Sequence, residues 1–560
     1  MMERRIRLIF IFFILIFIFI LLKLFYWQIF MSDEFGGEAV NQRTRTLKIP
    51  SQRGTIMSSF ETSIISNERA YLLYAEPKKV DDPILLRQKL AELLEVDEAS
   101  ISSNLGDKKK AWVSVWRKVP EGKKDKIESQ NLQGVGFEEE SIRFYPESSM
   151  AAHLMGFVGL DAKGDDKGYF GLEGYYDRQL RGRDGILKQE TDAFGLPILM
   201  GLQNRLEPID GRSLILHLDK SVQFIIEEKL KKALEKYEAK GGWVIVMDPK
   251  TGGILGMASY PNYDPKNYTS FESFLYKNPV VAETYEPGST FKSLIMAAAL
   301  NEDKVKPEQE FAEIGPVEVG GYTIRTWNNE YIGKLTATNI LERSSNVGMV
   351  QVGKLLGKDN LYKYLESFGF GRPTGIDLED EQSPDLRPKG SMYEIDLATI
   401  SFGQGVAVTP IQMIRAVASL ANNGDLMEPH VVKTIIEATG QKIDIKPKKI
   451  ISIVSPKTAS VISEMLVKAA SHGEAKFALP KGYRIAGKTG TAQIPIAGHY
   501  DPGKTIASFI GFAPVPNPKF VMLTTLKEPG TSPWGSETAA PLFYEIARDL
   551  FNYYKIPPSQ

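Results

Sequence analysis

The chain has 560 residues and a formal net charge of −1, and these bulk properties exclude several classes of protein. A surface that follows phosphates normally appears as an excess of basic residues, so the balanced charge argues against nucleic acid as the main partner. The absence of cysteine excludes disulfides, thiolate nucleophiles and Cys-based metal sites, and the five histidines show no pair at ligand spacing. We therefore expect neither a metal ion nor a cofactor, and the length predicts more than one domain.

The N-terminal segment predicts one membrane-spanning helix. Three arginines precede an apolar run that extends from residue 8 to residue 27 with one interruption at Lys23, about the 20 residues that a bilayer requires. A cleaved signal peptide is the alternative, but no small-x-small cleavage site follows the apolar run. The arginines before the run and the acidic residues after it predict a cytoplasmic tail (1–7), an uncleaved anchor (8–30) and all later residues outside the cytoplasm.

Residues 31–212 have mixed character and carry no convincing chemistry. A β-like run at 45–50 and a helix-like stretch at 83–94 stand among charged loops and many glycines. Two Ser-x-Asn triplets, at 102–104 and 129–131, fall between loop-like residues, which favours capping and turn roles. We interpret this region as an extended pedestal or partner-binding domain.

Residues 213–560 predict a single α/β domain. Asp219 opens a helix with apolar residues at helical spacing, and further helices are predicted at 361–367, 410–422 and 455–471. Strands at both ends with helices between them indicate that the two ends share one sheet. The predicted strands are 214–218, 243–247, 254–258, 484–492, 508–513 and 520–525, and a helix at 539–554 closes the chain.

Residues 286–292 hold the only Ser-x-x-Lys in the chain, directly before an apolar helix-like run. On a helix, side chains three apart share a face, so the hydroxyl of Ser289 and the amine of Lys292 can meet. A serine nucleophile needs a neighbouring base and a place for the developing oxyanion, and a helix N-terminus offers unpaired N–H groups. The pattern predicts an activated serine, whereas a surface Ser and Lys that share a face by accident are the alternative.

Two further elements can complete this site. One contains Ser344 and Asn346, and the other is Lys488-Thr489-Gly490-Thr491. Neither is specific alone, because Ser-x-Asn occurs three times and Lys-Thr-Gly also occurs at 250–252, in a predicted hairpin turn. Of the copies of these motifs, only the combination of Ser289, Ser344 and Lys488, in this order, places all three elements within one predicted domain.

These three elements resemble the signature of penicillin-binding proteins and class A β-lactamases. The Glu-Pro-Gly-Ser form of the first element and the Ser-Ser-Asn form of the second resemble the FtsI-like, division-type branch of the class B proteins. One departure is that residues 58–61 replace the usual Asp-Arg-Asn-Gly. The segments that further look like class B penicillin-binding proteins are 53–56, 143–146, 153–159, 171–174, 368–371 and 403–405.

The resemblance implies a class B peptidoglycan D,D-transpeptidase with a known architecture. This fold is a penicillin-recognising α/β (α+β) serine transpeptidase domain, here residues 213–560, whose antiparallel sheet is flanked by helices. An extended mixed α/β pedestal or dimerisation-type domain (31–212) and one N-terminal transmembrane helix complete it. The implied activity is septal cross-linking of peptidoglycan stem peptides through a serine acyl-enzyme on D-Ala-D-Ala, inhibited by β-lactams.

The resemblance also implies a role for each site residue. Ser289 attacks the substrate carbonyl, and Lys292 takes its proton, which requires a neutral amine; burial and the positive Lys488 both lower a lysine pKa. Ser344 relays a proton to the leaving D-alanine. The implied substrate-binding residues are Asn346 for the amide, Lys488, Thr489 and Thr491 for the terminal carboxylate, Gly487 and Gly490 for close approach of the substrate backbone, and the N–H groups of Ser289 and Thr491 for the oxyanion.

The implied partners are stem peptides on lipid II-derived glycan strands, an FtsW-like lipid II polymerase of the SEDS type, other division proteins, and β-lactams as inhibitors. The implied location is the plasma membrane, crossed once, with the N-terminus in the cytoplasm and the catalytic domain outside.

Three alternatives remain at this point. Residues 482–489 match the phosphate-loop pattern Gly-x4-Gly-Lys-Thr, which must follow a strand and open a helix. The same fold also serves β-lactamases, D,D-carboxypeptidases and β-lactam sensors, which pass the acyl group to water or retain it. A non-catalytic division scaffold is the third alternative.

Overall fold

The computed structural model describes residues 2–191, 198, 203–496 and 499–558. The chain divides into two compact units. The N-terminal unit comprises Met1–Arg53 and Arg181–Gly211, and the main unit comprises Gly54–Leu180 and Arg212–Gln560.

The N-terminal unit begins with a long apolar helix. An α-helix over Met2–Phe25 continues as a π-helical turn over Tyr26–Phe30, and its large apolar side chains are exposed. Met2–Phe30 is long and apolar enough to cross a membrane, in accord with the predicted anchor. A helix follows at Ser32–Arg43, and the unit also holds a three-stranded sheet of Thr44–Ile49, Gly185–Glu190 and Gln203–Leu206.

The main unit contains a seven-stranded sheet built mostly from residues before 217. The helix Pro83–Leu94, as predicted, and the helix Glu121–Glu128 pack with this sheet around a small apolar core. Ser213–Leu216 lies parallel to Ile56–Met57 in the same sheet. The first strand after the predicted domain boundary at residue 212 therefore pairs with a strand that precedes this boundary. The boundary itself stays a prediction. The strands are Ile56–Met57, Ser63–Ala75, Val113–Pro120, Val135–Phe144, Ser213–Leu216, Val432–Ile436 and Lys442–Asp444.

A five-stranded antiparallel sheet carries the rest of the main unit, and it confirms that the two ends of the domain share a sheet. Side chains of Gly241–Met247 alternate between two apolar cores, Trp243 and Ile245 on one face and Val244 and Val246 on the other. This alternation is the period of two that a strand buried on both faces requires. In spatial order the strands are Ile254–Tyr260, Gly241–Met247, Phe520–Lys527, His499–Ala513 and Ala486–Ile496.

Helices cover both faces of this sheet. Lys220–Lys236 and Ala539–Tyr553 pack on one face, and Asp219 caps the first of them by accepting the N–H of Ser221 at 2.8 Å. A larger helical layer covers the other face and includes the three predicted helices. Its helices are Pro279–Ala282, Lys292–Asn301, Ala337–Glu342, Asn346–Leu356, Lys358–Ser367, Glu394–Ser401, Pro410–Ala421 and Pro456–His472.

Short elements connect these layers. Three brief helices lie before the five-stranded sheet, at Ala152–Met155, Gly171–Tyr175 and Asp177–Leu180. Four two-stranded ladders pair Phe157–Leu160 with Asp166–Tyr169, Glu310–Glu313 with Gly333–Thr336, Val317–Val319 with Tyr322–Ile324, and Asp425–Met427 with Lys449–Ser452.

One predicted strand is longer than expected. The strand predicted at 508–513 begins at His499, because its first residues pair across the hairpin with Ile494–Ile496. Glycine and proline at 502–503 favour a turn in isolation, and tertiary pairing overrides that local preference.

Candidate active site

The turn that carries Ser289 is a single 3₁₀ turn over Gly288–Phe291, and the α-helix Lys292–Asn301 starts directly after it. The helix therefore begins three residues later than the pattern predicts. Gly288 has φ +55° and donates its N–H to the carbonyl of Gly403 at 3.0 Å. A Cβ on Gly403 would lie 2.0 Å from the Gly288 oxygen, so both glycines permit this close backbone contact.

Lys292 is fully buried, and its amine contacts the second element of the site. Its Nζ donates to the carbonyl of Ser344 at 2.6 Å, to Ser344 Oγ at 3.3 Å and to Asn346 Oδ1 at 2.8 Å. Within the described ranges, no hydrogen bond joins this Nζ to Ser289 Oγ. The amine thus joins the two polar residues of the Ser-x-Asn element, Ser344 and Asn346.

Burial holds the pKa of Lys292 well below its usual range, and the positive charge of Lys488 lowers it further. The carboxylates of Glu474 and Glu313 oppose this shift. Both causes of the lowered pKa are those expected from the sequence. In the neutral form the two N–H groups serve the two shorter contacts, the Ser344 carbonyl and Asn346 Oδ1, and the lone pair is left to accept a proton. Lys292 therefore suits the role of a base, and the third donor contact, to Ser344 Oγ, belongs to the protonated form.

The Ser344–Asn346 turn is held by its middle residue. Ser345 caps the helix Asn346–Leu356 by accepting the N–H of Gly348 at 2.9 Å, and it donates its hydroxyl to the buried carboxylate of Glu313. Ser344 has φ +57°, in the left-handed region, and this conformation directs its carbonyl and hydroxyl towards Lys292.

The Asn346 side chain is partly engaged within the protein. Its oxygen accepts from Lys292, and its nitrogen donates to the carbonyl of Arg325 at 3.1 Å. A side-chain amide has two N–H donors, so one remains for a substrate carbonyl.

The Lys-Thr-Gly-Thr element lies on Ala486–Ile496, the edge strand of the five-stranded sheet. Lys488 is 4% exposed, and its Nζ donates to Thr489 Oγ1 at 3.1 Å. Burial lowers the pKa of Lys488 to about 8. Thr491 Oγ1 accepts the N–H of Gly535 at 3.0 Å, which fixes the loop before the last helix.

Gly490 and Gly487 both have close neighbours within the protein, and the expected approach of a substrate backbone along this strand stays a prediction. A Cβ there would lie 2.8 Å from Thr290 Cγ2 and 2.5 Å from Ser508 Oγ. At Gly487 a Cβ would lie 2.5 Å from Phe509 Cζ. Both glycines therefore permit packing within the protein, and Gly490 lets the Ser289 turn approach the strand.

A cavity of about 280 Å³ joins the three elements, and it is called the catalytic cavity below. Five of the eight predicted site residues line it: Ser289, Ser344, Asn346, Thr489 and Thr491. The two lysines are buried beside these residues, and Gly490 packs under the Ser289 turn.

Sequence reasoning missed most of the remaining lining. Gln404 belongs to a segment singled out for its family resemblance, but isolated tryptophans carry no sequence signal. Trp327 and Trp534 meet edge to face with ring centroids 5.1 Å apart. The other lining residues are Gly288, Phe402, Gln404, Glu474, Gln493, Thr505 and Pro533.

The phosphate-loop alternative is wrong. Lys488 and Thr489 lie inside an extended strand, whereas a phosphate loop must open a helix whose N-terminus holds the phosphates. The second Lys-Thr-Gly, at 250–252, lies in the turn between Gly241–Met247 and Ile254–Tyr260, as predicted.

Comparison with known proteins agrees with this geometry. The model of the penicillin-binding protein transpeptidase domain matches residues 242–548, and that of the penicillin-binding protein dimerisation domain matches residues 48–216. Stage V sporulation protein D of Bacillus subtilis is 36% identical over 96% of this chain and 83% of its own length. The peptidoglycan D,D-transpeptidase FtsI of Escherichia coli is 28% identical over 95% of this chain and 88% of its own.

A solved structure shows the same fold. The crystal structure of a peptidoglycan synthetase from Bifidobacterium adolescentis has a TM-score of 0.75 and 27% sequence identity, and the match covers 92% of this chain and 98% of that one.

Proposed function

Because the chain belongs to the penicillin-binding protein transpeptidase family, we propose that it is a membrane-anchored peptidoglycan D,D-transpeptidase of the class B, FtsI-like type. The observation that carries the proposal is one cavity lined by Ser289, Ser344, Asn346, Thr489 and Thr491, with two buried lysines beside it. A nucleophile, a neutral base and a carboxylate-binding cation are the parts that acyl transfer from D-Ala-D-Ala requires.

The first half of the reaction forms the acyl-enzyme. Ser289 Oγ attacks the carbonyl carbon between the two terminal D-alanines, and its proton passes to the neutral amine of Lys292. The C–N bond to the last D-alanine breaks, and Lys292 returns the proton to the leaving amine through Ser344 Oγ, to which it already donates at 3.3 Å. The lysine is then neutral again.

Substrate is held along the edge strand. An edge strand has one row of backbone N–H and C=O groups that the sheet leaves free, so an extended stem peptide can add to it as a further strand. Lys488, Thr489 and Thr491 bind the terminal carboxylate, and the second N–H of the Asn346 side chain reaches the substrate amide. The N–H groups of Ser289 and Thr491 stabilise the oxyanion.

An amine of a second stem peptide completes the reaction and forms the cross-link. β-Lactamases, D,D-carboxypeptidases and β-lactam sensors remain alternatives on the same fold. A non-catalytic division scaffold is disfavoured. Lys292 is buried and, among the described residues, no carboxylate accepts a hydrogen bond from it, an arrangement that such a scaffold has no reason to keep.

The helix Met2–Phe30, which is long and apolar enough to cross a membrane, supports the proposed membrane setting. We place residues 1–7 in the cytoplasm and the anchor (8–30) in the plasma membrane. Both the pedestal (31–212) and the catalytic domain (213–560) then lie outside the membrane. An FtsW-like lipid II polymerase and other division proteins are the proposed partners.

Labelled penicillin tests the proposal. Intact protein in detergent is incubated with the label, and the adduct is mapped by mass spectrometry in the wild type and in Ser289→Ala. We expect label on Ser289 only and none in the variant, with an unchanged thermal unfolding curve showing that the variant is folded. Label on another residue, or equal label in the variant, contradicts the assignment.

Septal wall synthesis is the proposed process. The name of one relative favours a second process, wall synthesis during sporulation. The relative named for stage V of sporulation has 36% identity, compared with 28% for the FtsI of Escherichia coli. Complementation separates them: the gene is expressed in host cells depleted of their division transpeptidase and in cells lacking their sporulation transpeptidase. Rescue of division supports the septal role, and rescue of sporulation alone contradicts it.

A further inference from the structure

Glu474 stands between two cavities. It lines the catalytic cavity together with Ser289, and it also lines a second cavity of about 240 Å³, called the adjoining cavity here. Trp327 is the other residue that lines both. The two cavities therefore adjoin at Glu474 and Trp327.

The carboxylate of Glu474 is available to a ligand. Its residue is exposed, and among the described residues it makes neither a hydrogen bond nor an ion pair within 4 Å. Other carboxylates that line the adjoining cavity are engaged: Glu342 contacts His472 at 2.9 Å, and Glu313 accepts the hydroxyl of Ser345.

Trp327 adds a second feature suited to a cation. The residue is 43% exposed, and it lines both cavities together with Glu474. An indole face attracts ammonium groups through its quadrupole, and a carboxylate forms charge-assisted hydrogen bonds with them. The adjoining cavity is also lined by Arg343, Lys476 and His472, but its four carboxylates, Glu313, Glu330, Glu342 and Glu474, outnumber the two permanently basic side chains. Together with the indole, this balance favours a primary ammonium over an anionic ligand.

The field of Glu474 reaches the reacting groups. Its negative charge raises the pKa of Lys292 and that of Lys488, against the effect of burial. A carboxylate that acts on both amines is near enough to act on a third amine brought into the same cavity.

We propose that Glu474 and Trp327 bind the ammonium group of the acyl acceptor, and that the adjoining cavity is its route to the acyl-enzyme. This inference rests on the proposed function and identifies the acceptor as a cationic primary amine. The ammonium gives one proton to the neutral amine of Lys292, and the free amine attacks the ester carbonyl. The C–N amide bond forms, the ester C–O bond breaks, and the second proton passes to Ser289 Oγ through Ser344. Lys292 then releases the first proton to solvent in the open cavity, so that its amine is neutral for the next cycle.

The test measures how the acyl-enzyme divides between amine and water. Intact protein receives a labelled peptide ending in D-Ala-D-Ala and increasing glycinamide, a small cationic amine, and the amide and hydrolysis products are quantified. Glu474→Gln is the variant. Glu308→Gln is the matched control, because Glu308 is exposed and lines neither cavity.

In Glu474→Gln we expect the ratio of amide to hydrolysis product to fall about threefold to fivefold, with a matching rise in the half-saturating glycinamide concentration, the size typical of an exposed charge pair. Added salt should lower the ratio in the wild type and leave it nearly constant in the variant. Glu474→Asp should recover part of the ratio, and Glu308→Gln should equal the wild type.

The outcomes separate this inference from the proposed function. An unchanged ratio in Glu474→Gln, or equal loss of both products, overturns the acceptor site while penicillin labelling of Ser289 stands. Failure of the wild type to be labelled by penicillin overturns the proposed function itself.

Discussion

The same tripeptide, Lys-Thr-Gly, occurs in two regions of the molecule with opposite surroundings. At 488–490 it lies on an edge strand with its lysine 4% exposed. At 250–252 it lies in a hairpin turn with an exposed lysine, and Gly252 has φ +83°. The hairpin copy is fixed by Asp248, whose carboxylate accepts the N–H of Lys250 and the hydroxyl of Thr251, both at 2.9 Å.

The difference shows that this motif acquires its chemistry from its position. In the turn, Lys250 and Thr251 donate hydrogen bonds to the carboxylate of Asp248, as in an Asx turn, and so they only stabilise the local backbone. On the strand, burial lowers the pKa of Lys488 and brings its charge close enough to lower the pKa of Lys292 as well. The predictions below test whether position alone separates the two copies.

The largest effect is expected at Lys292, whose pKa is lowered by the charge of Lys488 in the Lys-Thr-Gly on the edge strand. Lys292→Met should lower the rate constant of penicillin acylation by about 10³-fold, within the range for removal of a general base. Stopped-flow or quenched labelling measures it, with circular dichroism as the folding control. Acylation within tenfold of the wild type would show that another group takes the proton from Ser289.

The next effect compares the two lysines directly. Lys488→Ala should reduce the second-order rate constant for acylation about 100-fold, because it removes the buried charge that we propose binds the ligand carboxylate. Lys250→Ala should leave that constant unchanged, since the hairpin lysine is exposed. Equal losses in both variants would refute the comparison.

The two glycines give a smaller and more selective contrast. In Gly490→Ala the new Cβ forces the strand away from the Ser289 turn, so we expect about tenfold slower acylation and a loss of about 1–3 kcal/mol in the free energy of unfolding. Gly252→Ala places its Cβ 2.4 Å from the carbonyl of Glu428. Gly252→Ala should lower the free energy of unfolding, while the molecules that remain folded acylate at the normal rate. Denaturant unfolding measures the first quantity, and active-site titration with labelled penicillin gives the folded fraction for the second.

The smallest effect is a pH dependence. Lys488 has a pKa of about 8, so its positive charge is present below that pH and is lost as the pH rises through it. Acylation should therefore fall roughly eightfold between pH 7.5 and 9, and Lys488→Arg should abolish this decline because a guanidinium keeps its charge. Lys250→Ala should retain the decline. A flat profile in the wild type would contradict the role of Lys488.

Much of the architecture and most of the candidate site follow from local sequence. Helices with a clear N-cap, such as those after Asp219 and Ser455, were predicted within a few residues because the cap and the apolar period agree. The start of the strand at His499 was not, because only pairing across the hairpin determines it.

In the site, pattern and order assigned Ser289, Ser344 and Lys488 to one place. Glu474 and Trp327 could not be assigned, because an isolated acid or aromatic residue acquires its role only from the cavity that the fold encloses. The packing role of Gly490 likewise depends on Thr290, which is distant in sequence.

The left-handed conformation of Ser344 has a consequence for the choice of residue at this position. A residue with a Cβ at φ +57° stores roughly 1 kcal/mol or more of backbone strain that glycine would release. Replacement by glycine would relax the main chain and delete the hydroxyl that contacts Lys292. Backbone relaxation and the hydroxyl contact with Lys292 therefore make opposite demands on the residue at this position, and serine satisfies the second at the expense of the first.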